Sequence, residues 1–448
     1  MRLLQHHRIV NLLLLATISL RFSTVSLADN WPQWRGTGSN GISTAESIPT
    51  HWSTTENVAW RSPLPGQGGA TPAVWGKYLF VTSADGDDLV LIAIDTDSGK
   101  HLWQRKVTDG NQNARAGEGN SASASPSTDG EHVWVFFSRG DNFTSAILAC
   151  YDYSGNEVWK FDVADRFGKI DIQFGMTSTP VLHEEALYLQ LLHGAMKRGD
   201  DTRTGKVVKL NKLTGETIWE VDRETIAVFE CKHSYASPFL YSDGNQQFLI
   251  VHGADCTTGH ALDDGRELWR LGGLNADNDP ENKAYDLYFR FVSSPAFGQG
   301  KIVVPTCKNG PTFAINVNSE LKGEVTGKES VVAWSIQETP DVSIPLIVDD
   351  LVYLLHKDGK MQCIELETGS EVYHQRTHTV QHRSSPLYAD GHIYFCGKDG
   401  VCTVLKAGRD FEIVAENDMA GETITASPIV ANGTLYLRTY AGLYAIRK

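Results

Sequence analysis

No two of the seven cysteines are adjacent, none forms Cys-x-x-Cys, and no Cys-x-x-Cys-His occurs. Covalent haem and paired-thiolate zinc are therefore excluded. After residue 28 no stretch reaches about 18 uninterrupted apolar residues, so no membrane-spanning helix is expected. Positive charge is also in short supply. Forty Lys and Arg face 54 Asp and Glu, giving a net charge of −14. Such a chain repels nucleic acid and anionic membrane surfaces and offers no basic stripe. GxSxG, HExxH and P-loop sequences are missing as well, which removes the common hydrolase, zinc-protease and nucleotide motifs.

The first 28 residues read as a secretory signal: Arg2 and Arg8 flank the start of the apolar run NLLLLATISL, and Ser26-Leu27-Ala28 supplies a small-x-small cleavage site. Cleavage near Ala28 removes three arginines and no acid, leaving a net charge of −17. The expected location is the periplasm or the extracellular space. No cysteine follows the cleavage site, so a lipid anchor is not expected. An odd cysteine count in an exported chain leaves at least one thiol free. Cys150 and Cys363 take a position filled by Ala93, Ala261 and Ala314 elsewhere, where a thiol acts as a small hydrophobe. Cys396 and Cys402 flank the turn GKDGV and could face each other across a hairpin, which leaves a disulfide open as one option.

The chain repeats itself. A small hydroxyl residue followed by Pro and an apolar strand appears as TPAV (71–74), SPST (125–128), TPVL (179–182), SPFL (237–240) and SPAF (294–297). It continues as SIPLIV (343–348), SPLY (385–388) and SPIV (427–430). Successive prolines lie 54, 54, 58, 57, 50, 41 and 42 residues apart. Each Pro opens a short strand, where it need not donate to the ladder. A β-branched and aromatic run follows, such as KYLFVTS (77–83) or LVYLLH (351–356), then a Gly/Asp turn such as HKDGK (356–360). A second phrase closes the unit: AIDTDSGKHLW (93–103), CYDYSGNEVW (150–159), LNKLTGETIWEVD (210–222), ALDDGRELW (261–269) and CIELETGSEVY (363–373). Four short strands per unit of this length make a propeller blade.

The last unit, from SPIV to the C-terminus, has only three strands, while ENVAWRSPL (56–64) carries Trp60 in the missing register. The prediction is an all-β, eight-bladed β-propeller of four-stranded antiparallel blades, closed by the N-terminal strand. Residues 1–28 are the signal, 29–56 an N-terminal strap and 57–448 the propeller. The recurring Trp60, Trp103, Trp159, Trp219, Trp269 and Trp334, with Tyr373, are expected to pack between blades. A buried Trp contributes on the order of 200 Å² of contact. Seven copies cannot serve one cofactor, so the phrase is architectural.

These units resemble the pyrroloquinoline-quinone-like β-propeller repeat family, whose phrase is A-x-D-x-x-T-G-x-x-x-W; the leader WPQWRGTGSNGIS (31–43) followed by NVAW is similar to the start of exported bacterial members. The resemblance covers about residues 57–448. It implies either a quinoprotein dehydrogenase or a cofactor-free scaffold, of which assembly factors for outer-membrane β-barrels are one version. A dehydrogenase of this family implies a vicinal disulfide, a Trp floor, Glu and Asn ligands to calcium, and an Asp base. With no adjacent cysteines here, the expectation is no cofactor and no metal, and no catalytic residue is assigned. Pyrroloquinoline quinone with calcium belongs to the alternative reading.

Outside the repeats, the segments leading into three anchors carry cations: ECKHSYASP (230–238), YFRFVSSP (288–295) and QHRSSP (381–386). Lys232, His233, Arg290 and Arg383 are thus candidate ligand-binding residues at one side of the channel mouth, suited to an anion unless carboxylates such as Glu230 and Asp286 neutralise them. LHGAMKRGDDTRTG (192–205) is long enough for a lid, and the leader is expected to pack its Trp rings on the outer side as a strap. DNDPEN (277–282) reads as a solvated acidic loop without the Gly and distant Glu of an EF-hand. His374, His378 and His382 recur every four residues, a metal face on a helix, but Pro386 and the β register make this a loop. The functional expectation is an exported, monomeric, non-catalytic platform binding an envelope protein, an anionic small molecule or a polymer. The alternative is a quinone- or metal-dependent oxidoreductase of the alcohol or sugar dehydrogenase type.

Overall fold

Eight antiparallel sheets succeed one another along the chain in a computed structural model that describes residues 29–114, 117–197 and 205–448. The expected signal (1–28) and the middle of the blade-three loop (198–204) lie outside these residues. In every complete blade the strands pair in chain order, so the strand after the Pro anchor is innermost and the Trp strand outermost. Blade one, for example, consists of Ala73–Trp75, Tyr78–Asp85, Asp88–Asp95 and His101–Asp109. The two middle strands are buried on both faces, because each sheet packs against a neighbour on either side. Blade four gains a fifth strand, Gly323–Glu324, which pairs in parallel with the outer strand Glu267–Leu271. It comes from an insertion between the third and fourth strands of blade five.

Val58–Pro63 pairs antiparallel with Gly442–Ile446 and completes blade eight. The ring thus closes on itself, leaving no open end to the sheet series.

The tryptophan phrase acts between blades, and its glycine has two separate reasons to be there. In the turns of blades one, two, three, four and six, Gly99, Gly155, Gly215, Gly265 and Gly369 adopt φ between +70° and +81°. A Cβ on each would also lie 2.6–3.0 Å from the ring of Trp60, Trp103, Trp159, Trp219 or Trp334 on the preceding blade. The indole N–H then donates across the seam, to the carbonyls of Thr96, Tyr153, Lys212, Leu262 and Leu366 respectively. Trp269 departs from this pattern. The insertion replaces the turn it would have met, and its indole packs instead over Gly259 of its own sheet.

The hydroxyl of the anchor has an equally specific task. Thr71, Ser125, Thr179 and Ser237 each donate their backbone N–H to the anchor hydroxyl of the next blade, at 3.0, 3.1, 2.9 and 2.9 Å. Ile344, Ser385 and Ser427 continue the pattern at 3.0, 2.8 and 3.1 Å, the last reaching back to Thr71. The belt of side-chain hydrogen bonds is interrupted only where blade six carries Ile344 in place of a hydroxyl. There Ser293 Oγ bonds the Ser343 carbonyl instead. A buried N–H that loses its acceptor costs about 1–3 kcal/mol. Ser237→Ala is therefore expected to lower stability by about that amount while leaving the circular dichroism spectrum intact. A denaturant melt indistinguishable from wild type would show that the belt does not hold the blades.

The leader does not pack on the outer side. Trp31 exchanges both backbone hydrogen bonds with Val74, Thr128 N–H donates to the Pro32 carbonyl, and Leu182 N–H donates to Gln33 Oε1. Residues 41–43 then bracket Tyr388 of blade seven, and Arg35 Nη1 reaches the Pro386 carbonyl. The segment thus crosses the far ends of the innermost strands, whose backbone groups have no further strand to pair with. Trp31 joins the core of blades one, seven and eight. Beyond it, Asn417 of blade seven bonds the backbone of Thr50 and Trp52 and leads the chain out to the closing strand.

Cys396 and Cys402 face each other in register and form a disulfide across the blade-seven hairpin. Cys150, Cys231, Cys256, Cys307 and Cys363 are free and buried. Among the described residues no helix is long and apolar enough to cross a membrane.

Candidate functional site

The narrow axis of the ring is a cavity of about 470 Å³ with polar and apolar lining in nearly equal parts. Its wall is set by the anchors: Ser125, Thr179, Ser237, Ser294 and Ser385 line it, each one residue before a strand-opening proline. Their oxygens already accept from a neighbouring backbone N–H, so what each can still offer the cavity is a hydroxyl hydrogen and one lone pair. Trp34 of the leader also lines the cavity, at the end where the leader crosses. At the opposite end the lining comes from the loops entering the anchors, including Glu118, Phe174, Arg290, Asp341 and Arg383, and from Lys357 in the turn between the middle strands of blade six.

Two of the four predicted cations reach this wall. Arg290 lies 5.1 Å from the centre of the Phe174 ring and pairs with Glu230 at 2.9 Å. Arg383 binds Glu118 through Nε and Nη2 at 2.9 and 2.8 Å. Lys232 and His233 go elsewhere. Both are buried, and the Lys232 chain packs so closely on Gly194 that a Cβ there would lie 2.6 Å from its Cδ. His233 Nε2 sits 2.8 Å from the Gly194 carbonyl and must carry the proton to donate there. Desolvation by burial lowers its pKa. These two residues brace the base of the blade-three loop, because a short 3₁₀ turn at Phe229–Lys232 directs them inward.

The rest of the mouth consists of charges that sequence alone did not bring together. Asp341 accepts from Lys357 Nζ at 2.7 Å and from the Lys308 backbone N–H at 2.8 Å. Lys308 Nζ in turn pairs with Asp286 at 2.9 Å. Lys398 lies 3.7 Å from the second oxygen of Glu118. Burial raises the Asp341 pKa, but the Lys357 and backbone hydrogen bonds outweigh it and hold the carboxyl below its usual range. DNDPEN is a loop whose carboxylates cap their own backbone, as in Asp279 N–H to Asp277 and Glu281 N–H to Asp279. Of the three histidines spaced by four, His374 belongs to a strand, His378 pairs with Asp399 at 2.6 Å, and His382 is buried with Nδ1 on the Val380 carbonyl. They do not converge.

A quinone with calcium would need carboxylate oxygens free to ligate the metal. Both oxygens of Asp341 and of Glu118 already face basic or N–H groups. The disulfide joins cysteines six residues apart rather than adjacent ones. The donor set does not fit that group, and no step is derived through it.

A family profile described as "Outer membrane protein assembly factor BamB" matches residues 50–190, 144–370 and 258–448. The chain is 21% identical over 365 residues to the outer membrane protein assembly factor BamB of Yersinia pestis, covering 81% of this chain and 70% of that protein. It is 27% identical over 199 residues to a polyvinylalcohol dehydrogenase of a Pseudomonas species, covering 42% of this chain and only 28% of that enzyme. The fold superimposes on the quinohemoprotein alcohol dehydrogenase of Comamonas testosteroni with a TM-score of 0.64 at 12% identity, covering 93% and 80% of the two chains. At that identity the likeness concerns the fold alone.

Proposed function

The chain belongs to the family described as outer membrane protein assembly factor BamB, and on that premise we propose that it is a non-catalytic propeller of the cell envelope that docks an envelope protein at its channel mouth. One observation carries this reading: the mouth is a rim of partly exposed ion pairs around a hydroxyl-lined cavity closed below by the leader. Arg383 and Glu118 both keep some exposure, so a partner's carboxylate can compete with Glu118 for Arg383. Arg290 is less free to exchange, because moving it would strand the buried Glu230. Exposed Tyr288, stacked edge-on with Phe229, supplies an aromatic contact beside the rim. Tyr and Arg are among the residues enriched at protein interfaces.

A photo-reactive residue in place of Tyr288 is expected to trap an envelope protein, and Arg383→Gln should weaken that adduct several-fold without changing the melting temperature. No adduct at Tyr288, or an equal yield from Arg383→Gln, counts against docking at the mouth. Titration with pyrroloquinoline quinone and calcium is expected to give no absorbance shift and no dye-linked oxidation of alcohols. Turnover in that assay would establish an oxidoreductase instead.

A further inference from the structure

Glu338, His356 and His374 come from three separate segments of blades five and six. Glu338 lies two residues beyond the outer strand of blade five, Val332–Ile336. His356 opens the turn that follows Leu351–Leu355, and His374 sits within the outer strand Glu371–Arg376 of blade six. The ring of blades places them together, with one ligand atom from each lying within 4.8 Å of the others. His374 Nδ1 is 3.4 Å from Glu338 Oε2, and His356 Nε2 is 4.0 Å from the same oxygen. The two imidazoles are nearly parallel, 20° apart with centroids at 5.3 Å. A second carboxylate, Glu371, approaches His374 Nδ1 to 3.6 Å.

We propose that Glu338, His356 and His374 form a binding site for one divalent zinc ion that links blade five to blade six. The donor set of two imidazoles and a carboxylate is one that zinc accepts, with bonds of about 2.0–2.2 Å. In a tetrahedron of that size the donors stand about 3.3–3.5 Å apart. The His374–Glu338 separation is already there, the His356–Glu338 one closes with a shift of about half an ångström, and the two ring nitrogens start within 4.8 Å of each other. Both histidine side chains are largely buried while Glu338 is half-exposed, so the donors are held in place with a path in from solvent. Water, or Glu371 after a side-chain movement, completes the coordination.

The present partners of these groups are weak. Besides Glu338, His356 Nε2 meets the Gln362 amide oxygen at 3.3 Å, and His374 Nδ1 faces only the two carboxylates. Gln362 bridges to Glu371 at 3.1 Å, so the amide can swing to support the carboxylate once a cation takes the imidazole. This site is outside the channel and independent of the docking reading. Its success or failure leaves that reading untouched.

The test uses the tag-free full chain, stripped with a chelator and titrated with zinc, then with cobalt as a spectroscopic probe. Wild type is expected to bind one zinc tightly, to melt at a higher temperature with zinc, and to give the visible absorption of low-coordinate cobalt. The double variant His356→Asn/His374→Gln should lose at least about 100-fold in affinity and all of the cobalt absorption, and Glu338→Gln about 10-fold. Melting curves without metal verify that the variants fold. If the double variant does not fold, Glu338→Gln alone, on the half-exposed residue, decides the matter. Wild type that binds no zinc, or variants that bind it as well as wild type through surface histidines, would overturn the site.

Discussion

Trp60→Ala is expected to destabilise the protein by about 3–5 kcal/mol, the usual range for removing a buried Trp. The ring is 8% exposed, its N–H bonds the Thr96 carbonyl at 2.9 Å, and it packs on Gly99 and beside Tyr436. Five indoles occupy equivalent seams, but only Trp60 rides on the strand that closes the ring, Val58–Pro63. Its loss loosens the strand that no chain connection ties to the rest of blade eight, since only its pairing with Gly442–Ile446 closes the ring. Hydrogen exchange should therefore accelerate first along Val58–Pro63 and Gly442–Ile446. Trp103→Ala removes a comparable ring and should leave those strands protected. If the two variants show the same exchange pattern, the closing seam has no special role. A denaturation midpoint within error of wild type would discard the clamp altogether.

The second large effect is a loss of stability on acidification. His252, His260 and His382 are buried, and desolvation pushes their pKa values down to about 3, 4 and 4. Their hydrogen bonds suit the neutral ring. His260, for instance, places Nδ1 on the Gly265 carbonyl, so Nε2 is left to accept from the Thr258 hydroxyl. Because these values are depressed, the unfolded chain takes up protons first as the pH falls below about 6.5. The stabilising contribution is full above that point and is lost progressively toward pH 4. Each ring accounts for on the order of 3 kcal/mol across that interval. Denaturant melts from pH 7.5 to 4 should show the decline, and His252→Gln should make it shallower.

Asp255 works in the opposite sense. Burial holds it up at about 7, against hydrogen bonds from Tyr285 and Asn275 and the charge of Arg223; Asp286 adds to the upward push. A raised carboxyl keeps its proton in the folded state, so its contribution is full below about pH 4 and fades as the pH rises through 7. Asp255→Asn should therefore make the acid decline steeper. An acid profile that stays flat in wild type would mean these histidines are hydrated in solution.

The repeat was legible because each blade solves the same packing problem with the same residues. Ser/Thr-Pro, Gly and Trp recur because a hydroxyl must accept from the next blade, a turn must take positive φ, and an indole must cover that turn. The closing role of Trp60 could be read from register alone, since a missing strand at one end matched a spare one at the other. The hydroxyl belt was visible as a spelling but not as a bond, because its partners lie 41 to 58 residues apart, or at opposite ends of the chain.

The site was less legible, and for a related reason. Arg290 and Arg383 could be placed at the mouth because they sit at fixed distances from an anchor, and the structure puts both on the cavity wall. Lys232 and His233 lie six and five residues before their anchor proline, against five for Arg290 and three for Arg383, yet a 3₁₀ turn directs them inward. The leader, free of any repeat, gave no register, and its floor position follows only from unpaired strand ends. Likewise, His374 took its sequence neighbours His378 and His382 as apparent partners, whereas blade packing gives it His356 and Glu338. Periodic sequence fixes periodic structure, since one local solution is reused eight times. What breaks the period depends on which distant segments the closed ring brings side by side, and that only the tertiary structure decides.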